Sequence, residues 1–90
     1  LKTVAIFGPG LIGGSLALAL RERLPEAALV LWTRSEQSAA RTAKVFPQVT
    51  CDAAAAAKSA DLWVFCTPIG AMPDLARAVC PFVTPATVVT

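Results

Sequence analysis

The sequence predicts an α/β fold with an open, parallel β-sheet, and three observations lead to that prediction. Short apolar runs that suit buried strands alternate along the 90 residues with stretches of helical periodicity. Three glycines, spaced G-x-G-x-x-G, follow the first apolar run and lead directly into a helical stretch. A hydrophobic content of 56% and a mean hydropathy of +0.63 exclude a disordered chain. We therefore expect one doubly wound, Rossmann-type domain over residues 1–90, with strand order 3-2-1-4-5.

The first βαβ unit is predicted to occupy residues 3–32. Residues 3–7 are continuously apolar, which is the pattern of a central strand that is covered on both faces. Apolar residues at helical spacing predict a helix over 11–24, and Pro25 prevents it from continuing. A second apolar strand is expected over 28–32. The helix face expected to contact the sheet consists of Ile12, Leu16, Ala19 and Leu20.

The rest of the chain is predicted to alternate in the same way. Ser35 or Thr33 can cap a polar, alanine-rich helix, and Asp52 can cap the run of alanines that comes later. Pro73 is placed where the first turn of a helix tolerates a missing N–H group. In order, the expected elements are a helix over 36–45, a strand over 49–51, helical turns over 53–58, a strand over 62–66, a helix over 71–79 and a last strand over 87–90.

The glycine turn is predicted to bind the pyrophosphate of a dinucleotide. Gly8 allows a sharp exit from the first strand, and Gly10 lets a pyrophosphate approach without meeting a Cβ atom. Gly13 lets the helix pack closely on the strand. The free N–H groups of Leu11 and Ile12 at the helix start would face the phosphates, and the helix dipole would reinforce them. The alternative is a glycine-rich turn that binds nothing.

A second turn is expected to meet the glycine turn. Thr67 and Pro68 end the fourth predicted strand, and the switch point of a 3-2-1-4-5 sheet lies between strands one and four. Ligands of such sheets bind outside the carboxyl ends of the strands at that point. We therefore expect Thr67 and Pro68 to line the same crevice as Gly8.

The residues after the second strand favour NADP over NAD as the cofactor. NAD-binding folds usually have Asp or Glu about twenty residues after the glycine turn, where it accepts hydrogen bonds from the ribose hydroxyls. Here Thr33 occupies that position. It carries no carboxylate that would repel a 2′-phosphate. Thr33, Arg34 and Ser35 offer a cation and two hydroxyls instead. Alternatively, Arg34 is a solvated loop residue that stacks on adenine, which would suit either cofactor.

Composition and charge argue against several other classes of protein. The net charge of +2 comes from scattered Lys and Arg residues, and no basic run indicates nucleic acid or an anionic membrane as a partner. No apolar run reaches the roughly 18 residues that a membrane span needs, and a cytoplasmic location is expected by default. Cys51, Cys66 and Cys80 form no C-x-x-C pair and no histidine is present, so no metal site is expected. We expect the three cysteines to be reduced and buried.

Three segments together resemble the prephenate/arogenate dehydrogenase family: GPGLIGGSLA at 8–17, TRS at 33–35 and ADLWVFCTP at 60–68. The resemblance implies a small-molecule substrate, prephenate or arogenate, which is oxidised and decarboxylated in tyrosine biosynthesis while hydride passes to the nicotinamide. It also implies a homodimer, and a catalytic histidine and serine that would lie after Thr90. The sequence departs from the commonest family pattern at Thr33, where many members have Asp.

We expect these residues to be the amino-terminal part of a longer dehydrogenase, with a sheet that is incomplete at its carboxyl terminus. The helical substrate-binding and dimerisation domain that the resemblance implies is not among residues 1–90. No catalytic residue is expected here either, so the isolated chain should be inactive. The alternatives are the cofactor domain of another Rossmann dehydrogenase, acting on 3-hydroxy acids or imines, and a non-catalytic nucleotide-sensing module.

Overall fold

The computed structural model describes residues 3–8, 11–67 and 69–90, where strands and helices alternate. The strands are β1 (Thr3–Phe7), β2 (Ala28–Trp32), β3 (Val49–Thr50), β4 (Leu62–Phe65) and β5 (Val88–Val89). The helices are α1 (Leu11–Arg23), α2 (Glu36–Thr42), α3 (Ala53–Ser59) and α4 (Met72–Val79). Single 3-10 turns flank α4 at Ile69–Ala71 and Cys80–Phe82.

The strands form one parallel sheet in the order β3-β2-β1-β4-β5. The predicted α/β class and strand order are therefore confirmed. β1 is the central strand, and its last residue, Phe7, pairs with Trp32 of β2 on one side and Phe65 of β4 on the other. The carboxyl ends of these three strands thus lie level with one another at one edge of the sheet, and this edge carries the site described below.

Alternate residues of β1 enter two separate hydrophobic cores, one on each face of the sheet. Ala5 and Phe7 join a core that includes residues of α3 and α4. Val4 and Ile6 join a core on the opposite face, together with Ala17 of α1. These four of the five side chains of β1 are fully buried, as the continuous apolar run predicts for a central parallel strand.

The face of helix α1 that contacts the sheet matches the expected one only in part. Ala17 is fully buried and Gly13 is buried, whereas Ala19, which we expected on the buried face, is exposed. Leu20 packs against the core as predicted, and Leu18 is 43% exposed. The helix therefore approaches the sheet along its smallest residues, Gly13 and Ala17, because small side chains let a helix axis come closest to a strand.

Helix α2 ends at Thr42, three residues before the predicted end. The N–H groups of Lys44 and Val45 donate to carbonyl oxygens three residues back, which makes a tighter turn than an α-helix does. This turn brings Phe46 into the core, where its exposure is only 5%. Burial of that aromatic side chain thus decides where the helix stops.

The last strand and one cysteine also differ from the prediction. β5 has only two residues instead of four, although the N–H group of Thr90 still donates to the Trp63 oxygen at 2.9 Å. Cys51 and Cys66 are partly buried, but Cys80 is exposed, contrary to our expectation. The three thiols are free, as predicted. Within the described ranges, no helix has the length and apolarity that a bilayer crossing requires.

Candidate cofactor site

The first turn of the site leaves β1 at Gly8, whose backbone has a φ of 86°. Residues with a side chain rarely adopt this conformation. A Cβ atom at Gly8 would also lie 2.7 Å from Cγ2 of Thr67, which follows β4. Gly8 therefore makes the sharp exit that the sequence predicts, and it does so in direct contact with the turn after β4. The expected convergence of these two turns is confirmed at Thr67.

The second glycine that the structure explains is Gly13, in the first turn of α1. A Cβ atom there would lie 2.6 Å from the carbonyl oxygen of Gly8 and 3.3 Å from Cβ of Cys66. No side chain larger than hydrogen fits between the helix and the strand ends unless one of them moves. The close packing predicted for Gly13 is thus present.

The remaining members of the predicted pyrophosphate site are only partly described. Gly10 and Pro68 lie outside the described residues, so the predictions for them stay predictions. Leu11 and Ile12 open α1, and no acidic residue lies in its first turn. A 13-residue helix therefore starts at the carboxyl edge of the sheet with the positive end of its dipole unopposed by a carboxylate of its own first turn.

Thr33, directly after β2, is the one polar residue among the buried side chains that the structure describes, with 2% exposure. Its hydroxyl donates to the carbonyl oxygen of Ser35 at 3.1 Å and lies 3.7 Å from Sγ of Cys51. Its N–H group donates to the oxygen of Thr50 in the neighbouring strand. Thr33 thus fixes the chain between β2 and α2, and sequence reasoning missed Cys51 as its neighbour because the two are far apart in the chain.

Arg34 and Ser35 form the exposed part of the same connection. Ser35 is the N-cap of α2, as predicted, and its Oγ accepts from the N–H of Ser38 at 3.2 Å. The Arg34 side chain is exposed and lines the cleft, and it makes no hydrogen bond or ion pair with any residue in the described part of the chain. A guanidinium that is not engaged elsewhere is available to an anionic ligand.

These turns open into a single cleft of about 1130 Å³ at the carboxyl edge of the sheet. This volume is sufficient for a large organic ligand. We distinguish two walls by their lining residues: one comes from the chain after β2 and from α2, and the other comes from the turn after β4 and from α4. Gly14 and Leu18 of α1 also line the cleft. The polar or charged residues of its lining are Thr33, Arg34, Ser38, Arg41, Thr42, Cys51, Cys66, Thr67 and Asp74.

Two of these lining residues, Ser38 and Arg41, were not found by sequence reasoning. They lie three residues apart on α2, and Arg41 Nη2 donates to Ser38 Oγ at 3.3 Å. The spacing Ser35-x-x-Ser38-x-x-Arg41 places them along one side of the helix, which is the signal that could have found them. Without the fold, that pattern is indistinguishable from an ordinary solvated helix face.

The charges in the cleft are distributed unequally between its walls. Arg34 and Arg41 line the wall beside β2, whereas Asp74 of α4 is the acidic residue that lines the other wall, among those the structure describes. Asp74 is already paired with Arg77 at 2.8 Å, in an exposed ion pair. No group of three or more potential metal ligands occurs in the described ranges. The wall beside β2 therefore suits an anionic group of a ligand.

Comparison with known proteins agrees with this geometry. Residues 3–89 match the family described as NADP oxidoreductase coenzyme F420-dependent. The chain is 38% identical over 82 residues to a cyclohexadienyl dehydrogenase of Zymomonas mobilis, a match that covers 89% of this chain and 28% of that protein. The resemblance to prephenate and arogenate dehydrogenases that the sequence motifs indicate is confirmed by these sequence matches.

Two solved structures have the same fold over almost the whole chain. A prephenate dehydrogenase from A. aeolicus, in complex with hydroxyphenyl propionate and NAD+, superimposes with a TM-score of 0.88 at 20% identity, covering 99% of this chain and 32% of that one. A Synechocystis arogenate dehydrogenase gives 0.84 at 24% identity, covering 98% and 31%. The chain thus spans less than a third of the length of these relatives.

Proposed function

We propose that this chain, which belongs to the family of NADP oxidoreductases, coenzyme F420-dependent, is the dinucleotide-binding part of a prephenate or arogenate dehydrogenase. The observation that carries the proposal is the contact between the Gly8 turn and Thr67, which builds one cleft at the switch point of the sheet. The 38% identity to a cyclohexadienyl dehydrogenase supports the reaction class.

The glycine turn fits a dinucleotide pyrophosphate by the chemistry of its donors. Gly8 and Gly13 leave no side chain between the turn and the start of α1, so the main chain can approach a phosphate closely. In this proposal Gly8, Gly10, Leu11, Ile12 and Gly13 hold the pyrophosphate. Its two negative charges would lie at the positive end of α1.

The two walls of the cleft would orient the two ends of the dinucleotide. The adenosine end would lie beside Thr33, Arg34 and Ser35, and the other end beside Thr67 and Pro68. The nicotinamide supplies a hydride acceptor when it is bound. The residues of this chain would hold that ring at the mouth of the cleft, where a substrate held by another part of the protein could reach it.

The charged residues proposed to lie beside the adenosine end of the dinucleotide support NADP over NAD. The glycine turn can accommodate either cofactor. Arg34 and Arg41 are within the described lining on that wall, and no carboxylate is among the described residues that line it. A ribose with free hydroxyls would find no carboxylate acceptor there, whereas a 2′-phosphate would find cations.

The remaining features of the whole protein are proposals of the same kind. The substrate would be prephenate or arogenate, oxidised and decarboxylated, and the protein would be a homodimer through a helical domain outside residues 1–90. Catalytic groups would also lie outside these residues, since the 90 residues contain no histidine. The cytoplasmic location expected from the sequence stays a prediction.

The test is steady-state turnover by the whole protein with prephenate and with arogenate, each with NADP and with NAD, followed by the absorbance of the reduced nicotinamide. We expect one of the two substrates to be oxidised and residues 1–90 alone to be inactive. Turnover of a 3-hydroxy acid or an imine instead would assign the cleft to another dehydrogenase. Tight dinucleotide binding without turnover of any of these substrates would indicate a nucleotide-sensing module.

A further inference from the structure

The hydroxyl groups beside β2 differ in whether their hydrogens are free for a ligand. The phosphate of a 2′-phosphorylated ribose offers oxygens that accept hydrogen bonds, so a hydroxyl can bind it well only by donating its hydrogen. The Thr33 hydroxyl donates to the carbonyl oxygen of Ser35 at 3.1 Å, and Thr33 is 2% exposed. Its hydrogen is therefore already used inside the protein.

Ser35 is engaged in the same way. Its Oγ accepts from the N–H of Ser38 at 3.2 Å, which caps α2, and its own hydrogen goes to Oγ of Ser38 at 3.1 Å. A phosphate could take that hydrogen only by breaking the bond between the two serines. Thr33 and Ser35, which the sequence suggests as direct ligands, thus shape the connection between β2 and α2.

Ser38 receives hydrogen bonds and has its own hydrogen left. Its Oγ accepts from Ser35 at 3.1 Å and from Nη2 of Arg41 at 3.3 Å. A hydroxyl oxygen has two lone pairs and one hydrogen, so these two bonds leave the hydrogen as its remaining hydrogen-bonding group. Ser38 lines the cleft and is only partly buried, so a ligand can reach it.

Arg41 brings a second cation to the same wall. Its side chain is exposed and lines the cleft, as that of Arg34 does. The bond to Ser38 restrains one of its guanidinium nitrogens, and the other N–H groups are left to donate. A guanidinium that is held in place loses less side-chain freedom when it binds an anion.

We propose that Ser38 and Arg41 of α2 complete, with Arg34, the subsite for the 2′-phosphate of NADP, and that Thr33 and Ser35 position it. This inference rests on the proposed function, because it assigns residues to one end of the same dinucleotide. Two guanidinium groups and one hydroxyl donor surround the phosphate, and the buried Thr33 holds the chain that carries Arg34. Preference for NADP then depends on one face of a helix and not on the β2–α2 connection alone.

The test is calorimetric titration of the whole protein with NADP and with NAD. Arg41→Ala should weaken NADP binding about tenfold or more and leave NAD binding within about twofold. Arg41→Lys should retain part of the preference for NADP over NAD. Ser38→Ala should lower that preference less than Arg41→Ala does. The matched control is Arg23→Ala, which removes the same charge from the far end of α1, away from the cleft, and should change neither constant.

Ionic strength gives a second readout that a loss of folding would not mimic. Added salt should weaken the binding of NADP to the parent protein more than that of NAD, and Arg41→Ala should reduce this difference. If the parent binds both dinucleotides and Arg41→Ala binds NADP with unchanged affinity, this inference is overturned and the proposed function is not. A loss of NAD and NADP affinity to the same extent in Arg41→Ala would also overturn it. A parent that binds neither dinucleotide would overturn the proposed function as well.

Discussion

At the scale of single residues, Gly8 and Gly13 lie in contacts that leave no room for a side chain. Gly8 combines a positive φ with a neighbour, Thr67, that a Cβ atom would meet at 2.7 Å. Gly13 lies against the Gly8 carbonyl, so the two glycines depend on each other. These contacts therefore explain why neither Gly8 nor Gly13 carries a side chain.

Replacement of Gly8 by alanine should destabilise the protein by about 1–3 kcal/mol, because the new side chain meets both an unfavourable φ and Thr67. The measurement is the free energy of unfolding in urea. Gly70→Ala is the matched control, since a Cβ atom at Gly70 would have no neighbour within 4 Å. Equal losses of stability in the two variants would contradict this account of the turn.

Thr33 tests the link between a buried side chain and cofactor choice. Thr33→Asp should lower NADP affinity by about ten- to a hundredfold and reverse the preference, because a carboxylate repels the 2′-phosphate and can accept from the ribose hydroxyls of NAD. It also removes the hydrogen that Thr33 donates to Ser35. The measurement is the pair of dissociation constants for NADP and NAD at fixed ionic strength.

The control for that substitution is Thr33→Ser, which keeps the hydroxyl and should keep the preference for NADP. If Thr33→Asp leaves the preference for NADP over NAD unchanged, Thr33 does not contribute to cofactor choice.

At the scale of elements, short helices hold their places through caps and through a few buried contacts. Helix α3 is a run of alanines that buries only Ala56 and Ala57 in full, and the carboxylate of Asp52 accepts from the N–H of Ala55 at 3.2 Å. The predicted cap is thus confirmed. The indole N–H of Trp63 donates to the oxygen of Ala57 at 3.2 Å and ties the helix to β4.

Loss of the Asp52 cap should cost about 1 kcal/mol, because the N–H group of Ala55 in the first turn of α3 then loses its partner. Chemical denaturation of Asp52→Ala measures this cost. Asp52→Asn is the control, since an amide oxygen caps nearly as well. An unchanged free energy of unfolding in Asp52→Ala would mean that the contacts of Ala56, Ala57 and Trp63 hold α3 without the cap.

Some element features were predictable from the sequence, and others depend on tertiary contacts. The strand order follows from the alternating apolar runs and from the G-x-G-x-x-G turn, which is typical of sheets with the order 3-2-1-4-5. The contact face of α1 was mispredicted at Ala19 because apolar residues surround most of this helix. Close packing at Gly13 and Ala17 determines which face contacts the sheet. The end of α2 depends on burial of Phe46, which the polar sequence before it does not show.

The candidate site was predictable to a similar degree. Gly8, Gly13 and Thr67 could be placed because each follows directly from strand ends and turn chemistry. Ser38 and Arg41 could not, since polar residues on an exposed helix carry no signal until the fold places that helix beside a cleft. The direction of the Thr33 hydroxyl was likewise invisible, because it depends on Ser35 and on the distant Cys51.

At the scale of the whole molecule, the sheet joins two distant parts of the sequence into one cleft. The pairing of Phe7 with Trp32 and Phe65 sets three strand ends level, and their turns then face one another. The aromatic rings of these residues are in contact, with the centroids of Phe7 and Phe65 4.9 Å apart. These three rings thus form an aromatic cluster at the ends of the strands that lead into the turns proposed to hold the cofactor.

Calorimetric titration of NADP and NAD into the parent protein and into a Gly10→Val variant measures whether this cleft binds a nicotinamide dinucleotide through the glycine turn. The valine side chain should occupy the pyrophosphate position and abolish binding of both dinucleotides, while circular dichroism shows that the fold is kept. The account predicts saturable binding to the parent and none to Gly10→Val. Equal affinity in the two proteins, or no binding to the parent, would contradict it.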